Sequence, residues 1–407
     1  MIVISHPTGN SNVRAAIRAF FDRGILERFF TTIAWRPNQA LAQLIPERIL
    51  RELERRAYHE APDRLISSRP RKELLRHLAE KAKFSILFNT EAAPFSVDSI
   101  YQDLDQYVAT QLPRLKRVDT VYSYEDGALA TFERAELLGV RRVYDLPIGY
   151  WRASRELAER EAQESPEWAS SLSALYDSER KHHRKDRELS LADRIIVASQ
   201  FTKNSLKLFP GFDEDKVVVV PYGAPHPASI RRVQTDRDKP LRVLYVGALS
   251  QRKGISYLGK AMDLVGRIAV LTLVGRPTFP IPEPVKRMCE MHRWIPSLPH
   301  SELLAEMSRH DVLVFPSLFE GFGLVITEAI SQGLPVITTA NTGGPDVLTH
   351  GVDGFIVPIR SPDAIAQYLF LLADNREILE QMSQSALARA NELTWVQYEQ
   401  KLVEAVQ

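Results

Sequence analysis

At 407 residues, with 44% apolar and 25% charged side chains, the chain has the length and composition of two globular domains. Its 52 basic and 51 acidic side chains leave a net charge of +1, which speaks against nucleic acid as a partner. A single cysteine, Cys289, excludes an intrachain disulfide framework and fits a reducing cytoplasm; no apolar run approaches the ~20 residues of a membrane span.

Short apolar runs alternate with helical periodicity along the whole chain, the pattern of parallel α/β architecture. The N-terminus, Met1-Ile2-Val3-Ile4-Ser5, reads as a first strand and not as a signal peptide. Further strands are expected at residues 30–34, 121–123, 142–145, 195–199 and 217–221, then at 242–247, 269–274, 311–315, 335–338 and 354–357. The polar stretch 231–240 separates the two sets and reads as a domain linker. The expected domains are 1–232 and 233–385, each a doubly wound, Rossmann-like sheet. Strand C-terminal ends would face a shared cleft, where open α/β sheets take their ligands. Residues 386–407 read as a helical tail, with Trp395 and Tyr398, that crosses back to the first domain.

The first strand runs into His6-Pro7-Thr8-Gly9-Asn10-Ser11, where a glycine loop meets a helix start. Gly9 and Asn10 are candidates to touch phosphate or acceptor; plain capping is the other reading. One glycine does not make a dinucleotide fingerprint. Residues 46–83 carry 11 Lys/Arg against 7 Asp/Glu, with Leu74, Leu75 and Leu78 at helical spacing. This basic insertion reads either as a surface for anionic lipid on the inner membrane face or as a solvated helical excursion. Asp103-Leu104-Asp105 lies inside a helical pattern and not after a strand, so a metal–diphosphate site is not expected there. Asp145 ends a strand and is a candidate to orient a reacting hydroxyl or take its proton; capping the following turn is the alternative. Tyr150 and Trp151 read as a sugar platform or as interface core. His182 and His183 are adjacent on a helix and point apart, so a solvated face is expected and not a metal pair.

The second set begins with a strand ending at Gly247, then Arg252-Lys253-Gly254 at a helix start. Two cations there oppose the helix dipole, so a bound anion makes sense of them, and a diphosphate leaving group builds charge that they can stabilise. Trp294-Ile295 lies in a region where a nucleobase can stack or bond to backbone. The densest signal is 316–329: a strand end, Glu320, then Gly321-Phe322-Gly323, then a helix from Leu324 carrying Glu328. Glycine backbone at a helix start offers N–H donors and a positive dipole end, and flanking carboxylates can accept bonds from vicinal hydroxyls. Phe322 reads as a packing residue that shapes the loop. Gly343-Gly344 gives another cleft-facing turn.

Together Gly247, Arg252-Lys253-Gly254, Pro316-Ser317, Glu320-Gly321-Phe322-Gly323-Leu324, Glu328-Ala329, Gly333-Leu334-Pro335, Gly343-Gly344 and Gly354 resemble the retaining GT-B glycosyltransferases of family 4. The first domain resembles them more loosely, through Gly9, Ala192-Asp193, Ser199 and Pro221-Tyr222-Gly223. The resemblance implies that Arg252 and Lys253 bind a donor diphosphate, that Glu320 holds donor-sugar hydroxyls, that backbone N–H groups of Phe322, Gly323 and Leu324 contact sugar and phosphate, and that Glu328 binds ribose. It implies no metal or other cofactor. Three departures stand out: Ala248 where many members have Arg, Gly223-Ala224-Pro225 where many have Gly-Val-Asp, and Asp145 near the place of a His. The implied activity is transfer of a hexose from a UDP- or GDP-sugar to a sugar, glycolipid or small-molecule acceptor, in lipopolysaccharide or exopolysaccharide synthesis. A sugar-phosphate or small-molecule synthase on the same fold, and a non-catalytic nucleotide-sugar-binding subunit, are the alternatives.

Overall fold

The computed structural model describes residues 1–36, 53–229, 231, 233–278 and 280–407. Among these, the first domain holds a seven-stranded sheet of β1 (Ile2–Ser5), β2 (Leu26–Thr31), β3 (Ile66–Ser68), β4 (Thr120–Tyr124), β5 (Arg141–Leu146), β6 (Arg194–Val197) and β7 (Val217–Val219). The second holds six: β8 (Leu241–Val246), β9 (Ala269–Val274), β10 (Arg293–Ile295), β11 (Val312–Phe315), β12 (Val336–Thr339) and β13 (Gly354–Val357). The orders are β3-β2-β1-β4-β5-β6-β7 and β10-β9-β8-β11-β12-β13, with parallel neighbours throughout. Both sheets are covered on both faces, and β1, β11 and β12 are buried along their whole length, as their unbroken apolar or small-residue runs require.

Each order reverses once, between β1 and β4 in the first sheet and between β8 and β11 in the second. A crevice opens outside the strand ends at such a reversal. The loops after β1, β8 and β11 are those that carry Gly9, Arg252-Lys253 and Glu320. This is the GT-B architecture of two facing Rossmann-like domains. One apolar cluster joins them, running from Phe20 and Tyr122 through Tyr222 and Tyr398 to Phe322 and Ile326.

The chain passes between domains twice, at adjacent places. Ala224 bridges to Thr394 and its N–H donates to the Leu393 carbonyl at 2.6 Å. By Ala228, whose N–H donates to Ser331, and Arg231, bonded to the Gln332 carbonyl, the backbone already lies on the second domain. The crossing therefore precedes the polar linker expected at 231–240. The helix Arg376–Glu392 stays on the second domain, packed against the helix Leu324–Ser331, so the return begins near Leu393 and not at 386. The last helix, Trp395–Val406, packs on the helix Ser11–Asp22, where Arg18 meets Glu399 at 2.6 Å.

Other expectations shift too. Strand β2 ends at Thr31 and starts at Leu26, four residues before the expected start at 30. Of the insertion at 46–83, residues 46–52 lie outside the described residues; the rest contains the edge strand β3 and the helix Arg71–Lys81. His182 is not solvated: it is buried and stacked on Trp151 with ring centroids 3.9 Å apart. Trp151 and Tyr150 both bond Asp186, at 2.6 Å each, so they build first-domain structure and offer no open platform. Asp105 caps the helix Leu129–Leu137 through the N–H groups of Ala130 and Thr131, and Asp103 bonds Arg69.

Candidate active site

The loop after β8 turns through a short 3₁₀ segment, Gln251–Lys253, and ends at Gly254 with φ 72°. A side chain at Gly254 would place its Cβ 2.0 Å from the Pro316 carbonyl oxygen. Only glycine allows both that left-handed turn and that approach, which brings the Arg252-Lys253 loop against the loop after β11. Backbone then stitches the two together: the Leu318 N–H and the Ser317 hydroxyl donate to the Arg252 carbonyl, at 2.9 and 3.2 Å. The Arg252 guanidinium donates to the Phe319 carbonyl at 2.7 Å and lies 3.5 Å from Glu320. Lys253 forms an ion pair with Glu320 and sits 4.9 Å from the Phe315 ring centroid. Burial, and secondarily Arg252, push the Lys253 ammonium well below the usual lysine range. Glu320 is the carboxylate that stands against it.

Glu320 itself is fixed from the other side by its N–H, which donates to Asn341 at 3.1 Å, while the Asn341 amide donates to Leu318 at 2.8 Å. Gly323 caps the helix Leu324–Ser331, whose first turn leaves backbone N–H groups without intrahelical partners beside the two cations. Phe322 is buried against Tyr222, with centroids 5.1 Å apart, and against Gly343; its carbonyl accepts the Gly343 N–H at 2.7 Å. Glu328 lies on the first turns of the helix, 3.0 Å from the His300 ring. That carboxylate raises the His300 pKa above the ordinary histidine value.

The structure thus brings Arg252, Lys253, Glu320, Gly321, Phe322, Gly323, Leu324 and Glu328 into one place. It treats other candidates differently. Gly247 directly follows β8, and its N–H donates to the Val274 carbonyl. Ile295 is part of the edge strand β10 and not of a loop; its carbonyl already accepts the Gly275 N–H at 2.9 Å. Asn10 occupies the N-cap position of the helix Ser11–Asp22 with an exposed side chain that makes no capping bond. Gly9 packs on Tyr58, whose ring would lie 2.4 Å from an added Cβ. Asp145 is neither a turn cap nor open to solvent: it is 2% exposed and accepts the Tyr122 hydroxyl at 2.5 Å. Burial raises its pKa to about 7, and Tyr124, Tyr222 and Tyr398 surround it with phenols.

Sequence reasoning missed the first-domain groups that hold the glutamate loop. The Gly321 carbonyl accepts two buried hydroxyls, from Ser199 at 2.5 Å and Thr202 at 3.0 Å. Asp346 accepts the Gln200 N–H at 3.0 Å across the same junction. A Ser-x-x-Thr start to a short helix reads as local capping, and Ser199 does also cap Thr202. Its second task depends on a partner 122 positions away.

Residues 228–389 match the family model of glycosyl transferases group 1. The second domain is thus similar to group 1 glycosyl transferases. Over 227 residues the chain is 30% identical to a D-inositol 3-phosphate glycosyltransferase of Corynebacterium glutamicum (strain R), covering 50% of this chain and 54% of that protein. Over 224 residues it is 31% identical to a sucrose synthase of Acidithiobacillus caldus, covering 48% of this chain and 28% of that one. The matched region thus spans about half or less of these relatives. The fold likeness runs the full length: Anabaena Alr3699/HepE, solved in complex with UDP, superimposes with a TM-score of 0.63 at 16% identity, over 99% of this chain and 98% of that one.

Proposed function

We propose that the protein transfers a hexose from a UDP- or GDP-sugar to a hydroxyl acceptor, with retention of configuration and without a metal ion. The observation that carries this reading is the convergence of Arg252 and Lys253 with Glu320 at the start of the helix Leu324–Ser331. Two cations and a helix N-terminus are a site for a diphosphate, and they stabilise the charge that grows on it as the glycosidic bond breaks. Glu320, one residue before the glycines, accepts bonds from sugar hydroxyls. Glu328, eight residues on, takes the ribose hydroxyls in this reading, in place of His300, its present partner.

In this reading the C1–oxygen bond to the donor phosphate breaks and a bond from C1 to the acceptor oxygen forms on the same face. The acceptor proton passes to a phosphate oxygen of the leaving diphosphate. The chain supplies no nucleophile, and the burial of Asp145 fits a role other than general base. A nucleoside diphosphate donor agrees with the UDP held by the Anabaena structure. Lipopolysaccharide or exopolysaccharide assembly is the proposed setting.

The test combines binding and turnover. A thermal-shift screen with UDP, GDP and ADP and their sugars identifies the base, because a ligand of the folded state raises its melting temperature. With that donor and a panel of acceptors, Glu320→Ala and Lys253→Ala each abolish transfer while unfolding stays cooperative, and the anomeric configuration of the product matches the donor's. Near-wild-type turnover in either variant overturns the site; an inverted product overturns the mechanism.

A further inference from the structure

The helix Arg71–Lys81 is set in the first domain with its apolar side outward. The side turned inward is polar. Glu73 is buried, forms an ion pair with Arg56 and accepts the Thr32 hydroxyl. Lys72 donates to the Ser99 hydroxyl at 2.5 Å, Arg76 pairs with Glu80 at 2.8 Å and donates to the Phe95 carbonyl, and Ala79 is buried. Positions 72, 73, 76, 79 and 80 form one helical stripe, so positions 71, 74, 75, 78, 81 and 82 form the opposite one. That outer stripe is Arg71, Leu74, Leu75, Leu78, Lys81 and Ala82. Leu74 is 49% exposed and Leu78 62%, and just past the helix end Phe84, at 61%, and Ile86, at 81%, are exposed as well.

Large apolar side chains gathered in water within one short segment mark a binding surface. Its charge names the occupant. Residues 69–86 hold six Lys/Arg against two Asp/Glu. Both glutamates are spent on Arg56 and Arg76, which leaves Arg71, Lys81 and Lys83 exposed and without an acidic partner among the described residues. Leucines and a phenylalanine rimmed by cations on one convex face are the chemistry of an interfacial helix. We propose that this face docks on an anionic lipid bilayer, with the leucines and Phe84 entering the headgroup boundary and Arg71, Lys81 and Lys83 meeting lipid phosphates. The helix follows β3, the edge of the first-domain sheet, whereas the Arg252–Glu320 pair belongs to the second domain. Docking and donor binding then use different surfaces.

The experiment is cosedimentation of the full chain with phosphatidylcholine vesicles, with and without phosphatidylglycerol. Binding is expected only with the anionic lipid and is expected to weaken with salt as exposed charges are screened. Leu74→Ser with Leu78→Ser should lower partitioning at least tenfold. Lys81→Gln with Lys83→Gln should lower it about fivefold for each cation removed, from ~1 kcal/mol per charge near the surface. Both pairs are exposed, so unchanged melting temperatures are expected. Vesicle binding is read without turnover, so the outcome does not depend on the transfer reading. Equal partitioning of wild type and variants overturns the proposal. So does absence of binding to anionic vesicles, or light scattering that shows a dimer which the leucine variant converts to a monomer.

Discussion

Replacing Gly321 by alanine tests whether the two domains meet through the glutamate loop. The added Cβ would lie 1.8 Å from the Pro147 carbonyl oxygen, 2.6 Å from its carbon and 2.9 Å from the Ile148 Cα. All three are backbone atoms of the first domain, so no side chain can swing aside. Relief requires the loop after β5 and the loop after β11 to part by about 1 Å or more, against the ~3.5 Å at which carbon contacts are comfortable. Such overpacking costs about 1–3 kcal/mol. Parting the loops also stretches the Ser199 and Thr202 bonds to the Gly321 carbonyl, at about 1 kcal/mol each. The sum is about 3–5 kcal/mol, felt at the junction and displacing Glu320, the next residue. Differential scanning calorimetry should show a fall of several degrees. Donor titration should show weaker sugar binding with nucleoside diphosphate affinity less affected, because the Arg252 backbone is held by Ser317 and Leu318, ahead of the displaced residues. Ser199→Ala with Thr202→Val should reproduce the hydrogen-bond part alone, about 2 kcal/mol. A Gly321→Ala protein with wild-type melting and wild-type donor affinity would show that the domains do not meet in this way.

The remaining predictions concern protonation. The His300 pKa is raised by Glu328, so the charged pair exists below that value and is lost as pH rises through it. If ribose hydroxyls use Glu328, UDP or GDP affinity should increase from pH 6 to 8, and His300→Ala should flatten the profile; an unchanged slope in calorimetric titration refutes the competition. The Asp145 pKa is raised to about 7 by burial, so its neutral form stabilises the fold. The contribution is complete below the ordinary carboxyl pKa and disappears as pH climbs to about 7, a change on the order of a few kcal/mol. Asp145→Asn keeps an acceptor for Tyr122 and should melt with less dependence on pH across that window, becoming the more stable protein near neutrality. A wild-type-like pH profile in the variant would show that Asp145 is already charged.

What the sequence reveals of this fold follows from how locally each element is determined. β1, β11 and β12 are runs of apolar or small residues buried on both faces, and they stand out for that reason. β3 and β10, at the sheet edges, have three residues each and include Ser67, Ser68 and Arg293, so their strand character comes only from the neighbour they pair with. The donor half of the candidate site is legible because one short loop holds its carboxylates and glycines. Its support is not. Ser199, Thr202 and Asp346 act across the domain junction, and nothing in their own neighbourhoods distinguishes that from capping. Asp145 misleads for the converse reason: its place at a strand end suggests the crevice, whereas four tyrosines surround it. The leucines of the helix Arg71–Lys81 have core-like spacing, and only packing shows that Glu73 and Ala79 took the inside.

The twin crossings of the chain at Ala224 and Thr394 have a mechanical consequence. Two backbones passing side by side, tied by the bond from the Ala224 N–H to the Leu393 carbonyl, behave as a flexure with two ribs and not as a single thread. Two such ribs resist torsion better than one, so a strain on the junction is shared by both backbones. The bonds from Ser199 and Thr202 to the Gly321 carbonyl add a further tie across the same junction. The rib at Gly223 is also bonded to Thr327, one residue before Glu328, at 3.2 Å. The paired crossing thus lies against the ribose end of the proposed site.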